Sequence, residues 1–128
     1  MATIFTKIMN GEIPSYKIYE DEYCFAFLDI QPIQEGHILV VPKIEVDSFT
    51  EVPEPYYSAV FKAAQKISIA LQKATNCNRV GTMILGWDVP HFHYHLIPMW
   101  SVGDIKGKIK NLPPEKMKLI QEKIISKL

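Results

Sequence analysis

The stretch His91-Phe92-His93-Tyr94-His95-Leu96-Ile97-Pro98 holds three of the chain's four histidines, at alternate positions. In a strand, successive side chains face opposite sides of a sheet. The alternation predicts a strand from Phe92 to Ile97. His91, His93 and His95 then line one face, about 7 Å between neighbours. Phe92, Tyr94 and Leu96 fill the other face. A helix would spread residues two apart around its axis, and the three imidazoles would not converge. A lone histidine is commonly a satisfied, half-buried residue. Three in alternation make a reaction surface, because imidazole works near neutral pH as nucleophile, general acid or general base.

The flanking sequence supplies the rest of a sheet. Val80 to Leu85 reads as the preceding strand, joined through Gly86 to Pro90. His37 to Val41 is a continuous apolar strand stopped by Pro42. Tyr16 to Glu20 and Tyr23 to Asp29 read as two further strands around a turn at Asp21-Glu22. Ile4 to Asn10 reads as a short helical turn ended by Gly11, and Pro32 to Gly36 as a loop. A helix opens at Pro53-Glu54-Pro55 and carries Val60, Ala64, Ile67, Leu71 and Ala74 on one apolar stripe. Gly103 to Asn111 reads as a polar loop. A terminal helix begins at Pro113-Pro114, with Met117, Ile120, Ile124 and Leu128 on its stripe. The class is α+β, an antiparallel sheet of about five strands with one main helix and a C-terminal helix.

At 128 residues with 48% hydrophobic and 22% charged side chains, the chain reads as a single domain, residues 1–128, with an ordinary core. Its formal net charge is zero, which gives no general attraction to nucleic acid or to anionic membranes. Cys24 and Cys77 read as free thiols in a reducing compartment. The N-terminus has no long apolar stretch and no run of about 18 apolar residues occurs, so a cytoplasmic location is expected.

Two kinds of chemistry suit the histidine row. One is a metal site: a His-x-His pair can chelate zinc, with Asp88 available to complete the set. The other is phosphoryl or nucleotidyl transfer through a histidine. A phosphorus centre attacked in line needs a nucleophile on one side and donors for its equatorial oxygens. A central imidazole with two others beside it supplies both.

The segment His91-Phe92-His93-Tyr94-His95-Leu96-Ile97 resembles the signature of the histidine-triad (HIT) family of nucleotide hydrolases and transferases. Ile4-Phe5-Thr6-Lys7-Ile8, Glu12-Ile13-Pro14, Ala26-Phe27-Leu28-Asp29-Ile30 and Gly36-His37-Ile38-Leu39-Val40-Val41-Pro42-Lys43 resemble the family's N-terminal half in order and spacing. The likeness runs from about residue 3 to residue 100 and is similar above all to the small branch that cleaves nucleoside phosphoramidates. It implies a HIT-like fold with the triad at residues 91–97 and a C-terminal tail at 101–128. His93 matches the nucleophile that forms a covalent nucleotidyl-histidine. His95 matches the phosphate-contacting histidine, His91 the supporting first member, and His37 the additional histidine beside the site. Asp29 matches the acid that accepts the ribose hydroxyls. Ile4, Phe5, Ile8, Ile13, Phe27 and Ile30 match an apolar clamp on the base. Read without the resemblance, those apolar residues are ordinary core, and Asp29 is a turn residue.

Two departures from the family pattern stand out. Gly86-Trp87-Asp88 occupies the place of a Gly-Gln-Ser segment whose serine donates to the phosphate or leaving group. An ionised carboxylate cannot donate. Asp88 is therefore open to protonation in the complex, to binding a cation, to pairing with a leaving-group ammonium, to holding a histidine, or to facing solvent, while Trp87 offers an aromatic wall. The second departure is at Thr6 and Glu45, where many bacterial members carry a cysteine and a histidine of a structural zinc site. A Cys₂His₂ set cannot be assembled here.

The resemblance implies a homodimer acting on a purine nucleotide or nucleoside phosphoramidate with no cofactor. A nucleoside phosphoramidase is the leading expectation. A diadenosine-polyphosphate hydrolase is the alternative within the family, and a non-catalytic nucleotide-binding module or a metal-dependent hydrolase the alternatives outside it.

Overall fold

The computed structural model describes residues 2–128. Five strands form one sheet: β1 (Lys17–Glu20), β2 (Cys24–Leu28), β3 (Ile38–Pro42), β4 (Arg79–Ile84) and β5 (Tyr94–Met99). Their order is β1-β2-β3-β5-β4, and every neighbouring pair is antiparallel. Three helices accompany them: α1 (Ile4–Met9), α2 (Tyr56–Thr75) and α3 (Pro114–Ile125). The α+β class and the five-stranded sheet match the expectation from sequence.

The 3.6-residue stripe of α2 explains where that helix sits. Val60, Ala64, Ile67, Leu71 and Ala74 are all buried, joined by Ala63 and Ala70. Alanine at these positions lets the helix lie close to the sheet. Opposite it stand Ile18, Ala26, Leu28, Ile38, Val40 and Leu96, one face of β1, β2, β3 and β5. The helix ends where Asn76 takes a left-handed backbone (φ 57°) and returns its N–H to the Gln72 carbonyl, a conformation that asparagine tolerates. The helix starts at Tyr56, a turn later than the prolines suggest, because Pro55 holds the capping position. On α3, Met117 and Ile124 are buried, but Leu128 lies past the helix end and is exposed.

The other face of β2 and β3 carries Phe25, Phe27, Leu39 and Val41, and Phe5 of α1 packs on it. Both central strands are therefore buried on both faces, which accounts for the unbroken apolar run at 38–41. Among the described residues no helix is long and apolar enough to cross a membrane.

Leu96 is fully buried between β3 and β4, opposite Ile38 and Thr82. Leu96→Ala is expected to lower unfolding stability by about 3 kcal/mol, the transfer term plus a cavity that the flanking strands cannot close. Chemical denaturation checks this; a loss under about 1 kcal/mol would mean the core relaxes around the site.

Candidate active site

The histidine row departs from the expected strand in one respect. β5 begins at Tyr94, so His91 and His93 precede it. Pro90 lies inside a three-residue turn closed by the His91 N–H on the Val89 carbonyl at 2.8 Å, and the Phe92 N–H donates to the Val46 carbonyl. Proline has no N–H for a ladder, so regular pairing resumes only beyond the triad's middle. The chain stays extended, and the alternation of faces survives. Phe92 and Leu96 enter the α2 core, while His95 sits across from Leu39 on β3 and Met83 on β4.

All four histidines meet on this second face. The His93 and His95 rings lie 5.1 Å apart, centroid to centroid, as do His95 and His37. Phe5 stands edge-on to both His91 (5.6 Å) and His93 (5.1 Å). His37 and His91 are buried, with His93 at 9% exposure.

Hydrogen bonds to groups of fixed polarity assign the protons on these rings. The Ile33 backbone N–H donates to His37 Nδ1 at 3.2 Å. The ring proton of neutral His37 is therefore on Nε2, where it donates to His95 Nδ1 at 2.9 Å. His95 in turn keeps its proton on Nε2. His93 has the opposite form: Nδ1–H donates to the His91 carbonyl at 2.8 Å, leaving the Nε2 lone pair free. The pair thus presents one nucleophilic nitrogen and one N–H donor side by side. Burial, with the neighbouring His37 and His93, holds the His95 pKa down to about 4. Burial also lowers His37, against the pull of Asp29, and lowers His91. Asp29 Oδ2 lies 3.7 Å from His37 Nε2, and its other oxygen accepts the Gln31 N–H at 2.9 Å.

The expected apolar clamp is assembled in part. Phe5, Phe27 and Ile8 belong to one cluster with Leu39 and Val41. Ile4 and Ile30 stay exposed on its margin, Ile30 at 72%, and Ile13 is half-buried outside the cluster. Beside His93 lies a cavity of about 520 Å³, lined by Asp47, Ser48, Phe49, Gly86 and Trp87 among others. A Cβ at Gly86 would stand 3.6 Å from His93 Cε1, in ordinary van der Waals contact with the ring. Trp87 is 93% exposed and Asp88 is also exposed. The Asp47–Phe49 wall had no signal in the sequence, because those residues look like an ordinary loop.

Asp88 does not complete a metal set with the triad. Among the described residues the potential ligand atoms that converge, within 4.8 Å of one another, are those of Asp29, His37 and His95. In that group the facing nitrogens of the two histidines are bonded to each other. A cation there would displace that bond. Thr6 and Glu45 are joined to one another, Oγ1 to Oε1 at 2.6 Å, and two such oxygen groups are not a zinc-thiolate site.

Residues 10–101 match the HIT domain family model. A HIT-like protein of Borreliella burgdorferi is 38% identical over an alignment that covers 94% of each chain. The adenosine 5′-monophosphoramidase HNT1 of Saccharomyces cerevisiae is 39% identical over 98 residues, 76% of this chain and 62% of its own length. Among solved structures, a Hit-like protein involved in cell-cycle regulation from Bartonella henselae superposes with a TM-score of 0.87 at 32% identity, covering 98% of this chain and 96% of that one.

Proposed function

The chain belongs to the HIT family, and on that premise we propose that it is a hydrolase of nucleoside 5′-phosphoramidates, acting through a covalent nucleotidyl-histidine at His93. The observation that carries this reading is the pair of opposed tautomers. His93 Nε2 has a free lone pair beside the N–H of His95. Attack by Nε2 forms an N–P bond and breaks the P–N bond of the substrate. The amine leaves into the exposed cavity with the bonding pair and takes its proton from solvent there, and the water that later resolves the intermediate returns one proton to solvent. His95 Nε2–H donates to a non-bridging phosphate oxygen, where charge grows in the transition state. Water then attacks phosphorus, frees His93 and releases the nucleoside monophosphate. Asp29 accepts the ribose hydroxyls, and Phe5, Ile8, Phe27 and the exposed Ile4 and Ile30 hold the base, with Ile13 at the margin. His37 keeps His95 in its donor form, and His91 holds His93.

The cavity beside His93 gives room to the leaving group. Asp47 is on its wall, Asp88 adjoins Trp87, and both carboxylates are exposed. Acidic groups there favour a cationic amine and oppose an anionic polyphosphate. That charge pattern favours the phosphoramidate over the diadenosine polyphosphate, and the fit of HNT1 supports the same choice. No cofactor enters the reaction, because imidazole N–H groups meet the phosphate charge. β4 is an outer strand of the sheet, and its open edge suits pairing with a second copy of the chain.

The experiment is AMP release from adenosine 5′-phosphoramidate, with and without chelator, beside a diadenosine polyphosphate. Turnover of the phosphoramidate that survives chelator is expected. Activity regained only on adding metal would replace this reading with a metal-dependent hydrolase. Tight AMP binding without turnover of either compound would leave a nucleotide-binding module.

A further inference from the structure

We propose that Thr3 and Glu45 are positioning residues for this reaction, holding His91, and through its carbonyl His93, in the tautomer that leaves His93 Nε2 free. The inference rests on the reading of His93 as nucleophile. Neither residue lines the cavity beside His93, so neither needs to touch substrate.

The argument is a count of protons. A hydroxyl has one proton to give. Thr6 gives its proton to Glu45 Oε1 at 2.6 Å, and the same oxygen accepts the Thr3 backbone N–H at 3.3 Å. Those two bonds hold the Glu45 carboxyl below the usual range, the Thr6 bond more strongly. Thr3 Oγ1 accepts the Thr6 backbone N–H at 3.2 Å, as the cap of α1. Its own proton then has two acceptors in reach, Thr6 Oγ1 at 3.3 Å and His91 Nδ1 at 2.7 Å. The shorter bond is to His91. With Nδ1 accepting, the His91 ring proton sits on Nε2 and donates to the Pro42 carbonyl at 2.8 Å. The ring has no exposed surface and is held at both nitrogens. His91's own carbonyl is the acceptor for His93 Nδ1–H.

One residue therefore caps the start of α1 and orients the triad. Without the Thr3 hydroxyl, His91 Nδ1 would be a buried acceptor with no donor. A ring flip would relieve it and would abandon Pro42. The carbonyl that orders His93 would then lose its anchor.

Thr3→Val removes both cap and donor, Thr3→Ser keeps both, and Thr3→Asp keeps the cap acceptor but has no proton to give. Thr3→Val is expected to lower kcat on adenosine 5′-phosphoramidate about tenfold, with KM changed less than about twofold. Thr3→Ser restores kcat to within about twofold, while Thr3→Asp stays low. Glu45→Leu lowers kcat in the same direction. Imidazole nitrogen NMR supplies a readout that needs no substrate. The wild type should show His91 protonated at Nε2 and His93 at Nδ1, and Thr3→Val should show mixed forms at both.

Equal activity in the Ser and Asp variants would mean that Thr3 acts by capping alone and would overturn the proposal. So would unchanged imidazole spectra in Thr3→Val. Should Thr3→Val not fold, the Ser and Asp pair decides. A wild type with these tautomers but no turnover would reject the nucleophile reading, a failure visible apart from the tautomer result.

Discussion

His93→Ala is expected to lower kcat on adenosine 5′-phosphoramidate by about 10³-fold or more, with AMP affinity changed by less than about threefold. The size of the effect follows from the other imidazoles. His95 accepts from His37 at Nδ1 and keeps its proton on Nε2, so no lone pair on that ring faces a substrate. His91 is committed at both nitrogens and fully buried. His37 is bonded at Nδ1 to the Ile33 N–H. Taking away His93 leaves no free imidazole nitrogen to replace it. The base and ribose contacts assigned to Phe27 and Asp29 do not run through His93, and Phe5 loses only one edge-on partner while keeping Phe27 and His91, so binding persists. Single-turnover AMP release and AMP titration separate the two effects. An acid-labile adenylyl group on the wild type, absent from the variant, would identify the intermediate. A variant within about tenfold of wild type would remove His93 from the nucleophile's place.

Much of this arrangement is legible in the sequence because it depends on local periodicity. The α2 stripe is set by spacings of three and four, and each of its predicted residues is buried. The face of His93 and His95 is set by alternation, which an extended loop preserves as well as a strand does. Hence the faces could be read although the start of β5 could not. That boundary depends on where Pro90 lets pairing begin, a matter of tertiary contact. Leu128 fits the helical spacing of α3 yet lies beyond it, since nothing at that end covers the residue.

What stays hidden is long-range polar contact. Thr3 caps α1 in the structure, but its bond to His91 spans 88 positions, and no spacing rule reaches that far. The Ile33 N–H has no side chain to mark it, though it decides the tautomers of His37 and His95. Asp88 shows the reverse problem. Its place in the sequence left open a ligand, a partner for the leaving group or a residue facing solvent; it stands exposed, and the acid that converges with the histidines is Asp29. Type and position identify candidates; the hydrogen bonds decide which atoms are free to react.

Unfolding stability is expected to fall between pH 7.5 and 4.5, by about 2.5 kcal/mol from His95 alone. The sign follows from burial. His95 is held at about 4 in the fold against 6.5 unperturbed. Between those values the unfolded chain binds a proton that the folded chain refuses, so acid favours unfolding. Above about pH 7.5 both forms are neutral and the effect vanishes. His37 and His91 are also lowered and add to the same slope. The carboxylates lowered in the fold, such as Asp21 and Asp104, act in the same direction, but in a more acidic window. Urea midpoints at half-unit steps of pH, for wild type and His95→Asn, check this; the variant should have the shallower slope from pH 6.5 to 4.5. A wild-type curve that is flat over this range would mean that the His95 ring is protonated in the fold. The consequence for the reaction is direct. A neutral His95 keeps a single proton, on Nε2, across the whole neutral range, so the donor proposed for the phosphate does not titrate there. The cost of keeping His95 dry appears as acid sensitivity of the fold.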